Sequence, residues 1–121
     1  MQTGIQGKKQ AKDRIFELLR VKHVLTRMEL YFDVVVSGRQ VINGKPEPDI
    51  FLKAAAMLGC APKDCYVFED GINGAYAGIA AGCVTVMVPD LMQPTPDLRK
   101  KCTAICTDLL EVRDRIAGNE L

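Results

Sequence analysis

Two stretches decide how this chain folds: Gly44-Lys45-Pro46-Glu47-Pro48-Asp49-Ile50-Phe51 and, after a gap, Val67-Phe68-Glu69-Asp70-Gly71-Ile72-Asn73-Gly74. In the first, two prolines with acidic neighbours mark the opening turn of a helix. Its apolar face would carry Ile50, Phe51, Ala54, Ala55 and Leu58, and Gly59 would stop it. In the second, Cys65-Tyr66-Val67-Phe68 is apolar at every position, the pattern of a strand covered on both faces. Glu69-Asp70 follow at its carboxyl end. Gly71 and Asn73-Gly74 then open a helix of small residues, 75–81, ended by Gly82. Ala77, Gly78, Ala80 and Ala81 would let that helix approach a sheet closely.

Downstream, residues 83–88 read as a further strand ended by Pro89, and Ala104-Ile105-Cys106 as a short last one. The three prolines of 89–96 make a loop, and 97–101 a short helical turn. Asp108 with Glu111 three residues on resembles a capping box for a final helix through Leu109, Leu110, Val112 and Ile116. Upstream, Phe32-Asp33-Val34-Val35-Val36-Ser37 reads as a strand. Ile15, Leu18, Val21, Leu25 and Met28 form one stripe of a helix over 10–30. Residues 1–9, polar and Gly-containing, read as a frayed tail. The division is therefore 1–31, a tail and an amphipathic basic helix, and 32–121, an α/β core. Strands alternating with helices imply βαβ units and a mainly parallel sheet, with chemistry outside the carboxyl ends of its strands.

Two features fall at that end. Glu69 and Asp70 are adjacent carboxylates between a buried strand and a helix start, hard oxygen ligands suited to Mg²⁺. The competing reading, acids that favour a helix N-terminus, weighs about the same on spacing alone. Lys45 precedes a proline, which holds it extended, so that its ammonium can face a phosphate. Taken alone, an ordinary surface lysine explains it better.

Together, Gly44-Lys45-Pro46-Glu47-Pro48-Asp49-Ile50-Phe51, Val67-Phe68-Glu69-Asp70-Gly71-Ile72-Asn73-Gly74 and Ala80-Ala81-Gly82 resemble the haloacid dehalogenase-like superfamily, and within it the β-phosphoglucomutase-like phosphatases. The resemblance runs from about residue 32 to about 116. It implies a Rossmann-like three-layer core and phosphoryl transfer through an aspartyl-phosphate on a small phosphorylated metabolite, with sugar phosphates the commonest association. By resemblance Lys45 steadies phosphate and nucleophile, and Glu69 and Asp70 hold Mg²⁺.

The family's nucleophile motif is Asp-x-Asp at the end of the first strand. No Asp-x-Asp occurs in this chain. No cap domain is present, and no residue matches the family's second-motif Ser or Thr. The family places its first two strands mid-sheet. A chain without them is expected to be either a fragment of a longer enzyme or a core that closes its gap another way, by a rearranged sheet, a strand from the N-terminal tail, or self-association through open edges. The expectation is a phosphatase or phosphomutase core that is inactive by itself. A non-catalytic remnant that binds itself or a partner is the second reading. A phospho-receiver domain is disfavoured because its acidic pair precedes its lysine, whereas Lys45 comes before Glu69.

Composition agrees with a globular chain of one domain: 121 residues, 48% hydrophobic, 26% charged, net charge +1. Near-neutral charge argues against a nucleic-acid binder. No apolar run reaches the roughly 18 residues of a membrane span. The start lacks the apolar core of a secretory signal, so the expectation is cytoplasmic. Five cysteines without a CxxC read as reduced, buried thiols. The single histidine, His23, reads as a helix-surface residue, and with one His, zinc is disfavoured.

Overall fold

The computed structural model describes residues 4–7, 36 and 38–121. The helix expected over 10–30, with His23, lies outside them. So does the strand expected over 32–37, save Val36, which belongs to no regular element. In chain order the elements are β1 (Gly4–Gly7), α1 (Asp49–Leu58), β2 (Cys65–Glu69), α2 (Ile72–Ala80), β3 (Val84–Met87), α3 (Pro96–Lys101), β4 (Ala104–Ile105) and α4 (Leu109–Ala117). The sheet order is β1-β2-β3-β4. β2, β3 and β4 run parallel, and β1 pairs antiparallel with β2, Gly4 opposite Phe68 and Gly7 opposite Cys65.

Period-two alternation along β2 sorts its side chains onto two faces. Tyr66 and Phe68 join Val86, Val88, Val112 and Ile116 in a core under α4. Cys65 and Val67 join Phe51, Ala55, Ala77 and Ala81 in a second core under α1 and α2. The result is three layers, helix on sheet on helix, with β2 buried at all five positions. Glu69 continues the Cys65–Val67 row, so strand parity aims a carboxylate at the α1–α2 side.

The helix boundaries follow local chemistry. α1 ends where Gly59 turns left-handed, φ 72°, a conformation glycine enters without a steric penalty. α2 crosses the sheet at Gly78, where a Cβ would stand 2.7 Å from Thr85 Oγ1 and 3.0 Å from Val67 Cγ1. Asp108 caps α4 by accepting from the Glu111 N–H at 2.8 Å. The return half of the expected box is displaced by one residue, because Glu111 accepts from Thr107 Oγ1 and from the Thr107 N–H.

One expectation is corrected. Residues 4–7 of the presumed frayed tail are strand β1. Next to a strand buried on both faces, unpaired backbone groups would cost roughly 1–3 kcal/mol each. β1 supplies partners along one side of β2, which is the tail-strand solution among those the sequence left open.

All five cysteines are free, four buried and Cys60 half-buried. Burial pushes the Cys65 thiol up to about 12 and the Cys83 and Cys106 thiols to about 11. Raised above an ordinary value of 9.0, these groups favour the neutral form in the folded chain. Their contribution to stability is complete below pH 9 and is lost as pH rises through 11 to 12. Brief treatment with iodoacetamide at neutral pH is therefore expected to alkylate Cys60 first, with the other four reacting only once urea unfolds the chain. Peptide mass spectrometry checks the order, and rapid labelling of Cys65 in the folded chain would contradict it.

Candidate functional site

The site is assembled where β2 ends. Lys45 arrives on the irregular segment before α1, across a cis Lys45–Pro46 peptide bond. That segment is tied down at several points. The Glu47 N–H donates to the Gly44 carbonyl at 3.0 Å. The Asn43 N–H and Nδ2 both donate to Asp49 Oδ2 at 3.2 Å. Lys53 Nζ donates to the Gln40 carbonyl at 3.0 Å. The loop is thus fastened to the first turns of α1, and its lysine reaches across to β2.

Lys45 Nζ meets Glu69 Oε2 at 2.9 Å. Glu69 is 3% exposed and Lys45 29%. Burial raises the Glu69 carboxyl above its usual range, and the neighbouring Asp70 adds to the rise, while the Lys45 ammonium and the Gly71 N–H oppose it. The upward effect of burial is the largest of these. Asp70, the next residue in the chain, is half-buried. The three residues singled out from sequence therefore gather at one rim of the sheet.

Two supporting residues carried no such signal. Gly74, on the first turn of α2, is buried, and a Cβ there would fall on the Glu69 carboxylate. Phe51 lies beneath the ammonium, its ring centroid 5.2 Å from Lys45 Nζ. In the sequence Gly74 reads as one of the small residues that open a helix and Phe51 as one core residue among several. Only their place as the last residues of the two quoted stretches hints at more.

This arrangement joins a cation to two hard oxygen donors. Among the described residues no group of three or more His, Cys, Asp or Glu could hold a metal ion. Glu69 and Asp70 fit a hard divalent cation that takes its remaining ligands from water or phosphate oxygens, the usual habit of Mg²⁺. They do not form a closed metal cage.

Residues 9–82 match the haloacid dehalogenase-like hydrolase family. The chain belongs to that family. Among its relatives, a Drosophila melanogaster protein named probable pseudouridine-5′-phosphatase is 49% identical over 76 residues, 61% of this chain and 31% of the fly protein. Hexitol phosphatase A of Escherichia coli is 46% identical over 56 residues, 46% of this chain and 26% of that enzyme. A Thermotoga maritima structure, solved as a candidate β-phosphoglucomutase, superposes with a TM-score of 0.69 at 26% identity, over 93% of this chain and 59% of that one. This haloacid dehalogenase-like chain thus spans about a third or less of those curated relatives. Its partial α/β core is the fold that the superposition finds. Among the described residues no helix is long and apolar enough to cross a membrane.

Gly74→Ala tests the site's packing. The added methyl must displace the Glu69 carboxylate or the first turn of α2, at a cost of about 1–3 kcal/mol. Urea unfolding should show the lower midpoint, and an NMR contact between Lys45 and Glu69 should weaken. An unchanged midpoint with the contact intact would refute the account of Gly74.

Proposed function

We propose that this chain supplies the phosphate- and metal-facing side of a haloacid dehalogenase-like phosphatase or phosphomutase acting on a small phosphorylated metabolite, a sugar phosphate among the candidates. The observation that carries the reading is the meeting of Lys45, Glu69 and Asp70 at the carboxyl rim of β2. Lys45 donates to a phosphoryl oxygen and orients the group. Asp70, with Glu69 beside it, holds Mg²⁺, which when bound supplies positive charge against the phosphoryl oxygens. Phosphatases among the relatives support the phosphorylated substrate class.

The chain is read as inactive alone. It carries no Asp-x-Asp, and the strand paired with β2 opposite β3 is Gly-Ile-Gln-Gly, antiparallel and without an acid. Phosphate binding without turnover is the expected behaviour. The second reading, a non-catalytic module that associates with itself, rests on that same missing nucleophile.

Inorganic phosphate titrated into the chain with and without Mg²⁺, followed by calorimetry, tests the proposal beside an aryl-phosphate assay. Phosphate should bind more tightly with Mg²⁺. Lys45→Met and Asp70→Asn should each weaken it about tenfold or more, since hydrogen bonds to charged groups contribute ~1.5–3 kcal/mol. No hydrolysis should be measurable. Binding indifferent to both substitutions would remove the phosphate site and favour the self-association reading. Robust hydrolysis abolished by Asp70→Asn would show that a nucleophile is present after all.

A further inference from the structure

We propose that Phe51 is the positioning residue for Lys45: the face of its buried ring holds the ammonium at the rim while Glu69 and an incoming phosphate compete for the same charge. The inference rests on Lys45 as the phosphate-binding group and adds what keeps it in place.

The ring's own position is set from below. Phe51 is 4% exposed and packs with Ala55, Val67 and Ala77 between α1 and the sheet. Its seat does not depend on the lysine, so the core fixes the ring and the ring can fix the ammonium. Lys45 Nζ lies over it at 5.2 Å from the centroid, within the roughly 6 Å over which a cation is drawn to the negative face of an aromatic ring. Another holder, Glu69 at 2.9 Å, differs in kind. A carboxylate binds the ammonium more strongly, but its charge repels a phosphate approaching the same group. The ring has no formal charge to set against that phosphate. It can stay in contact while the ammonium turns from carboxylate to phosphoryl oxygen, and so serve as the pivot of that exchange. Leucine would fill similar volume and offer no such attraction.

Fluorination drains the ring's negative face with little change of shape, which separates attraction from packing. Phenylalanine at position 51 is replaced by its 4-fluoro, 3,5-difluoro and 3,4,5-trifluoro analogues in the full chain, and by Tyr and Leu in Phe51→Tyr and Phe51→Leu. Two quantities are read: Lys45 side-chain mobility from NMR relaxation at Cε and Nζ, and affinity for inorganic phosphate in the presence of Mg²⁺. Mobility should rise in step with fluorination, with phosphate binding weakened about three- to tenfold at trifluoro, while the thermal midpoint barely moves. Phe51→Tyr should behave as the parent and Phe51→Leu as the trifluoro chain. Mobility that stays flat across the series overturns the proposal, as does flat affinity in a chain that binds phosphate. If the parent chain binds no phosphate, the functional reading fails, and the mobility series still decides whether Phe51 holds Lys45.

Discussion

A carboxylate drawn out of water at the end of a strand needs a cation beside it, and the Lys45–Glu69 pair at 2.9 Å answers that need. Removing the cation from a fully buried pair leaves a charge uncompensated and typically costs ~3–5 kcal/mol, an upper bound here because Lys45 is 29% exposed, and a well-packed apolar pair in the same place can be as stable or more so. The pair is therefore a poor explanation of why the fold is stable. It is a good explanation of why several other features stand where they do. β2 must be covered on both faces for Glu69 to be buried. Strand parity must put Glu69 with Cys65 and Val67. The first turn of α2 must carry no side chain at Gly74. The loop bearing Lys45 must be tied to α1 through Asn43, Asp49 and Lys53.

Those constraints give the rim its chemical character. Asp70, next in the chain to the buried acid, is the more exposed of the two carboxylates and stands closer to solvent. Glu69 is engaged by Lys45 on one oxygen, while the Gly71 N–H approaches the other at 3.5 Å. The two acids thus differ in environment although they are neighbours in sequence, one clamped and one available. On the proposed reading, a phosphate entering here would meet an ammonium already held at the rim by its contact with Glu69.

Much of this was legible in the sequence because local chemistry determined it. Gly59 ends α1 and Gly82, also left-handed at φ 81°, follows α2, each as punctuation predicted. The unbroken apolar run of 65–68 announced a strand buried on both sides, and the acids behind it had only the rim to occupy. β1 was not legible. Gly-Ile-Gln-Gly has no alternation to reveal, and what makes it a strand is the hydrogen-bonding edge of β2 some sixty residues away. The support of Glu69 by Gly74 and of Lys45 by Phe51 was hidden for a similar reason. Both contacts depend on how helices seat on a sheet, which spacing along the chain does not express. Glu111 shows the limit of a motif: the sequence placed the cap correctly, yet the glutamate turned to Thr107, whose hydroxyl offered a second donor.

Lys45 and Glu69 act on one another and do not merely stand side by side. A double-mutant cycle measures this directly, with urea unfolding of the parent, Lys45→Met, Glu69→Gln and the double variant at neutral pH. Residues in contact within a charge network show coupling of about 0.5–3 kcal/mol, and a favourable coupling of that size is expected here, with the double variant less destabilised than the two single losses combined. Additive losses would mean that the two groups do not interact, and the organisation of the rim described above would have no physical basis.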